Sequence, residues 1–376
     1  MNTGRVQKMA LDFLPKVIRM SKTYRLGIVG IGGIATMHAN AIGDLPNATL
    51  VSGCCRTQEK GEKFAAQFGC RWYGDCEEML DREKPDAVTI STPSGAHLEA
   101  AKSCAERGVH VLCEKPLEIT TRRVDEMIEA ARKGGVVLGG IFQSRLDPAL
   151  NVIRAAVAEG RFGRLSIGAV YTPWWRDDAY YSPDRWQGTL ALDGGGALMN
   201  QSIHGVDALQ WIMGGAEDTT NPVAEVFALT DKLGHAEDLI EVEDTAVAVM
   251  RFRNGALGQI LAATSMYPGT SRRLMIGGRG GTAEVIDDEL SVFAFREPRD
   301  DDKDMLEKFS TRSAASGASD PLAISHVGHT RNIGAFLDAL EKSEAPAIDG
   351  HQARKAVEII EGIYESARTG VRVRIG

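Results

Sequence analysis

No run of apolar residues in this chain approaches the roughly 20 that a membrane-spanning helix needs, so no transmembrane segment is read from it. A basic surface is missing too. Lys and Arg number 43 against 51 Asp and Glu, a formal charge of -8, which disfavours nucleic acid or anionic lipid as a partner. The cysteines are few: Cys54, Cys55, Cys70, Cys76, Cys104 and Cys113 lie in the first third, with no CxxC pair and no histidines at zinc spacing. They read as reduced thiols of a cytoplasmic protein, and no metal site is expected. The first twenty residues lack a continuous apolar stretch and a small-residue cleavage site, so no secretory signal is expected. Residues 1–21 are set aside as an N-terminal extension. What remains is a small-molecule partner.

At 376 residues the chain is more than twice the usual domain length, and two domains with real cores are expected. Composition is that of a soluble globular protein, 43% hydrophobic and 25% charged. Glycine, at 41 residues, exceeds the usual roughly 7% and signals many turns or close backbone approaches.

From Tyr24 to Gly140 short β-rich runs alternate with amphipathic stretches. Strands are expected at 25–29, 49–53, 87–90, 109–113 and 136–138, and helices at 34–45, 58–68, 77–84, 98–107 and 121–132. Strict alternation with strands apolar on both faces predicts a parallel sheet wrapped by helices, an α/β Rossmann-type domain over 22–146. Asp147-Pro148 interrupts the pattern. Beyond it the spacing predicts helices at 149–159 and 200–213, then strands at 223–229, 245–252, 257–263, 272–276, 283–286 and 291–295. Strands without intervening helices predict an α+β domain over 147–376 built on an open, mostly antiparallel sheet. The charged and Ser/Ala/Gly-rich stretch 296–320 reads as a solvated loop, and helices at 329–340 and 352–366 close the chain.

The first strand runs into Gly30-Ile31-Gly32-Gly33-Ile34-Ala35, a G-x-G-x-x-A turn opening a helix. Gly30 permits the tight turn, Gly32 lets a pyrophosphate approach, and Gly33 and Ile34 begin the helix whose positive end faces the phosphates. A carboxylate normally ends the second strand of an NAD site. Here the strand ends in Cys54-Cys55-Arg56, and Arg56 can pair with a 2′-phosphate. The cofactor expected is NAD(P), with NADP favoured over NAD. A surface arginine starting the next helix is the plain alternative.

Three further segments stand out: Ser91-Thr92-Pro93-Ser94-Gly95-Ala96-His97, Cys113-Glu114-Lys115-Pro116, and Gly194-Gly195-Gly196-Ala197-Leu198-Met199-Asn200-Gln201-Ser202-Ile203-His204. With the Gly-rich turn they closely resemble the glucose-fructose oxidoreductase / inositol dehydrogenase / MocA family, from about Tyr24 to the C-terminus. The resemblance implies oxidation or reduction of a hydroxyl on a sugar, sugar derivative or cyclitol, and a homodimer or homotetramer packed through the second sheet. It assigns Lys115 to catalysis and places Thr92, Pro93, His97, Glu114 and Gln143 on the cofactor side. His97 as a mere helix cap stays open.

Lys115 follows a strand at the carboxyl edge of the sheet, where a lysine can stabilise charge on a reacting oxygen. Asn200 and His204 are four residues apart in an expected helix and share a face. Histidine titrates near neutrality, so His204 is the expected general acid/base. Asn200 departs from the aspartate that many members of the family carry, and an amide can orient a hydroxyl but cannot hold a carboxylate's charge. Trp174, Trp175 and Trp186, three of the chain's five tryptophans, cluster with Tyr171, Tyr180 and Tyr181 among charged residues. Such a mixture suits a sugar pocket, with Arg176, Tyr181 and Trp186 as substrate contacts; a packed loop or subunit contact is the competing account. The reading is an NAD(P)-dependent sugar or polyol oxidoreductase. The alternatives are a glycosidase working by transient oxidation on NAD, or a non-catalytic nucleotide or sugar sensor.

Overall fold

The computed structural model describes residues 22–214, 220–236, 238–310 and 325–376. The expected extension at 1–21 and part of the expected loop at 296–320 lie outside them.

Six parallel strands form the first sheet in the order β3-β2-β1-β4-β5-β6. They are β1 (Tyr24–Val29), β2 (Ala48–Cys54), β3 (Arg71–Tyr73), β4 (Ala87–Ile90), β5 (His110–Cys113) and β6 (Leu138–Gly140). The order reverses between β1 and β4, which opens a crevice at their carboxyl ends. Helices α1 (Gly33–Gly43), α2 (Gln58–Phe68), α3 (Cys76–Glu83), α4 (His97–Glu106) and α5 (Thr121–Gly134) connect the strands. All four residues of β4 are buried, as a strand covered on both faces must be. The Asp147-Pro148 break is a helix start: the Asp147 side chain accepts from the N–H groups of Ala149 and Leu150, and Pro148 opens α6 (Pro148–Ala158).

The second sheet has eight strands in the order β13-β12-β11-β7-β10-β9-β8-β14. They are β7 (Leu165–Pro173), β8 (Val223–Asp231), β9 (Thr245–Phe252), β10 (Leu257–Ala263), β11 (Arg273–Gly278), β12 (Gly281–Ile286), β13 (Glu289–Phe295) and β14 (Val373–Arg374). All neighbours are antiparallel except β7 and β10. Sequence reading missed β7 because Gly168 and Pro173 look like breakers. A Cβ on Gly168 would lie 2.8 Å from Leu209 and 2.9 Å from Met213, so glycine lets a helix pack hard on this strand. That helix is α7 (Ile203–Met213).

The stretch expected to be a solvated loop contains a helix, α8 (Asp302–Phe309). Then α9 (Val327–Lys342) and α10 (Gly350–Thr369) follow. Ile333, Phe336 and Leu337 of α9 join the core formed by Leu26, Ile28 and Ala35, so the chain returns to the first sheet after leaving it. On the outer face of the second sheet Phe227 pairs with Val249 and Leu229 with Val247. All four are exposed.

Candidate active site

The nucleotide turn follows from glycine sterics. Gly30 has φ +97°, and a Cβ there would stand 2.5 Å from the Thr92 nitrogen, so the loops after β1 and β4 are pressed together. Ser91 Oγ donates to the Gly30 carbonyl at 2.7 Å and locks that approach. Gly32 caps α1 with no side chain, and a Cβ placed on it would meet nothing within 4 Å. The first turn of α1 carries no acidic residue, which leaves its N–H groups and positive end available to a phosphate. At the end of β2, Cys55 Sγ donates to the Thr57 carbonyl. Arg56 is exposed and makes no hydrogen bond or ion pair among the described residues.

The loop after β5 carries the chemistry. Glu114 is buried; burial pushes its carboxyl up, but hydrogen bonds from His329 and His38 outweigh that and hold it well below the usual range. Those bonds reach Oε1 at 3.1 and 2.9 Å, while the Lys115 N–H donates to Oε2 at 3.0 Å. The ligand atoms of His38, Glu114 and His329 lie within 4.8 Å of one another. His97 sits beneath the loop with Nδ1 3.0 Å from the Pro116 carbonyl and Nε2 2.9 Å from that of Thr92. Its ring braces the two cofactor-side loops.

Lys115 Nζ donates to the backbone carbonyl of Asn200 at 2.6 Å. Burial lowers the lysine's pKa, against the pull of Glu114 and Asp193. Asn200 lies in a π-helical turn, Ala197–Ser202, which leads into α7, where an ordinary helix was expected. The half-buried Glu243 holds that turn, accepting from the N–H groups of Gly196 and Leu198. Close contact explains the glycines: a Cβ on Gly196 would sit 2.0 Å from the Glu243 carbonyl oxygen. Such wide turns are frequent at functional sites.

His204 follows in the first turn of α7, its ring edge-on to Phe142 at 5.8 Å. Burial, and then the Lys115 charge, keep its pKa well below the ordinary 6.5. It is therefore a neutral imidazole at neutral pH. His204 Nδ1, Gln143 Oε1, Thr92 Oγ1 and His329 Nδ1 are buried with no hydrogen-bond partner. Buried polar atoms are seldom left unpaired. Thr92 and Gln143 belong to the loops that follow β4 and β6, at the carboxyl edge of the sheet, and together with the open space over Gly32 they fit a dinucleotide.

On the other wall Arg176 is buried, with Nη2 donating to Gln201 Oε1 at 2.7 Å and its guanidinium 5.1 Å from the centre of the Trp174 ring. Gln201 Nε2 donates to Asn200 Oδ1 and to the Tyr180 hydroxyl. Tyr181 is turned inward, donating to Thr264 Oγ1 and packing on Ile240 and Val242. Trp186 is half-buried, and its carbonyl accepts from Thr189 Oγ1. The structure thus brings Lys115, Asn200, His204 and Arg176 together, links Tyr180 to them through Gln201, and leaves Tyr181 and Trp186 in the surrounding loop. Sequence reading did not single out Asp193, Gln201, His38, His329 or Glu243. No spacing rule connects His329 to Glu114; only the Asp immediately before the triple glycine offered a signal.

The fold and these loops define a dinucleotide-dependent oxidoreductase. Residues 24–141 match the model of the oxidoreductase family with an NAD-binding Rossmann fold, and residues 150–284 match the Gfo/Idh/MocA C-terminal domain. The chain belongs to the Gfo/Idh/MocA family of NAD(P)-dependent oxidoreductases acting on CH–OH groups. A crystal structure of the WlbA dehydrogenase from Bordetella pertussis, in complex with NADH and UDP-GlcNAcA, is similar over 95% of this chain and 99% of that one, at TM-score 0.84 and 32% identity. The WlbA enzyme of Chromobactrium violaceum, with the same ligands, is similar over 94% of this chain and 96% of that one, at TM-score 0.82 and 30% identity. The myo-inositol 2-dehydrogenase of Thermotoga maritima is 28% identical over 89% of this chain and 93% of its own.

Proposed function

We propose that the protein oxidises a secondary hydroxyl of a sugar held between the cofactor crevice and the wall formed by Lys115, His204 and Arg176. The carrying observation is the 2.6 Å hydrogen bond from Lys115 to Asn200, which fastens the cofactor loop to the turn preceding His204. A nicotinamide bound in the crevice supplies the hydride acceptor. The Lys115 ammonium stabilises charge growing on the substrate oxygen, and the neutral His204 imidazole takes the hydroxyl proton. Glu114, Thr92, Pro93 and Gln143 orient the cofactor. The sugar we infer carries a carboxylate and a nucleotide: the buried Arg176 puts a second cation near Lys115, and the WlbA relatives hold UDP-GlcNAcA.

For the dinucleotide we infer NADP over NAD, because β2 ends without a carboxylate and Arg56 is exposed beside it; the NADH of the WlbA complexes makes NAD the alternative to be tested. The exposed apolar face of the second sheet supports a homodimer or homotetramer. Absorbance at the nicotinamide band, with UDP-GlcNAcA, free uronic acids, neutral sugars and myo-inositol offered against both dinucleotides, tests the reading. Reduction with the nucleotide-linked acid is expected. Reduction with myo-inositol alone would replace the sugar acid by a cyclitol.

A further inference from the structure

Asn200 brings an amide, not a charge, to Lys115, and the site has a carboxylate seven residues earlier in the chain. Asp193 is completely buried. Its Oδ1 accepts from Asn200 Nδ2 at 2.5 Å and its Oδ2 from the Gly188 N–H at 2.8 Å. The other end of the Asn200 amide accepts from Gln201, and the Asn200 carbonyl receives Lys115 Nζ. Both ends of the asparagine side chain are therefore held within the protein. The three glycines after Asp193 fix this path: a Cβ on Gly194 would lie 2.4 Å from Ile119, and one on Gly195 2.0 Å from the Tyr364 hydroxyl.

We propose that Asp193 is the positioning carboxylate of the active site, supplying across Asn200 the negative charge that orients and balances the Lys115 ammonium. The proposal rests on Lys115 serving the reaction as described above. A buried carboxylate is costly unless donors and a counter-charge compensate it, and here the donors are one N–H and one amide while the nearby cation is Lys115. Burial pushes Asp193 up to about 7, opposed by the Gly188 N–H, Asn200 and Lys115. Other titratable groups face the pair from every side. Glu114 shares the β5 loop with Lys115 and Arg176 follows β7; both act on the lysine. Tyr180 and Tyr181 lie beyond Arg176, Glu243 precedes β9 and Tyr364 projects from α10. His204 feels the lysine from α7.

The test moves the charge. Competitive acetylation of Lys115 with acetic anhydride, read by peptide mass spectrometry across pH, reports the lysine's titration whether or not a substrate is known. In Asp193→Asn the Lys115 midpoint falls by about one pH unit, and turnover of any sugar the enzyme oxidises falls about 10- to 100-fold. The double variant Asp193→Asn with Asn200→Asp returns a carboxylate to the cluster and restores both. Dinucleotide affinity by tryptophan fluorescence reports folding. Should Asp193→Asn not fold, Asn200→Asp alone is read: a second carboxylate beside the first raises the Lys115 midpoint. A midpoint unmoved in the folded variant, or a double variant no better than the single, overturns the proposal. An enzyme inert toward every sugar overturns the functional reading and leaves the acetylation result to decide this one.

Discussion

Arg145 and Asp207 form a bidentate ion pair, Nε to Oδ2 at 2.7 Å and Nη2 to Oδ1 at 2.6 Å, with both side chains buried. Arg145 lies on the segment leaving the first sheet, and Asp207 is one turn beyond His204 on α7. The guanidinium also donates to Gln352 on α10. One planar fork thus fixes the helix bearing the base against the domain bearing the cofactor loop, a geometry that lysine could not reproduce.

Asp207→Asn leaves the guanidinium buried without its counter-charge. Breaking one partner of a buried pair costs about 3–5 kcal/mol, and the Gln352 contacts place this case at the lower end. Urea unfolding checks it. Turnover falls with stability, because the fork holds the helix that carries His204. A variant as stable as the parent would mean that the fork does not hold the domains.

Much of this arrangement was legible in the sequence, and the failures have physical causes. The G-x-G-x-x-A turn is a local pattern that a sequence shows directly, and the Glu114-Lys115-Pro116 corner and His204 stand in contiguous segments that carry the family resemblance. The β7 strand was hidden by Gly168, whose absent side chain is a packing requirement imposed by α7. The π-helical turn at Asn200 depends on Glu243, more than forty residues away, so no helical periodicity could show it. His38 and His329 reach Glu114 from α1 and α9, a meeting that only the tertiary fold creates. Two adjacent tyrosines gave no sign that Tyr180, and not Tyr181, would accept from Gln201; the fold decides that.

Lys115→Ala and His204→Ala are each expected to lower turnover, about 10²- to 10⁴-fold for the base, with dinucleotide affinity unchanged. Steady-state kinetics beside fluorescence titration separates the two effects. Near-normal turnover in His204→Ala would remove it from the reaction.

The pH dependence follows from the sign of the His204 shift. Burial and Lys115 hold its pKa below 6.5, so the base form persists on acidification and the acid limb of kcat/KM for hydroxyl oxidation falls below pH 6.5. Lys115→Met removes the largest depressing cause after burial, and the His204 ring resonances should then titrate at higher pH in NMR spectra. A limb above 6.5 in the parent enzyme would contradict a neutral buried base.

The apolar face of the second sheet yields a separate test. Val247 and Val249 point outward from β9 opposite Leu229 and Phe227, the face on which the proposed homodimer or homotetramer would pack. If that packing holds, light scattering should find the parent protein oligomeric and Val249→Glu monomeric, while the unfolding midpoint measured at low protein concentration changes little. An assembly unaffected by the charge places the contact elsewhere.

Cofactor choice rests on the charge at the end of β2. Cys54 is buried and Cys55 turns its thiol to the Thr57 carbonyl, so neither binds ribose hydroxyls as a carboxylate does, nor repels a 2′-phosphate. Arg56, exposed and unpaired among the described residues, can close on that phosphate, and NADP should bind more tightly than NAD. Replacing Cys55 by Asp and Arg56 by Ser installs the acceptor and removes the cation together. The affinity ratio should then swing toward NAD, each tenfold change amounting to about 1.4 kcal/mol. Calorimetric titration of both dinucleotides into both proteins decides it. A parent protein that prefers NAD, or a ratio the double replacement leaves untouched, would show that Arg56 stays in solvent when the nucleotide binds.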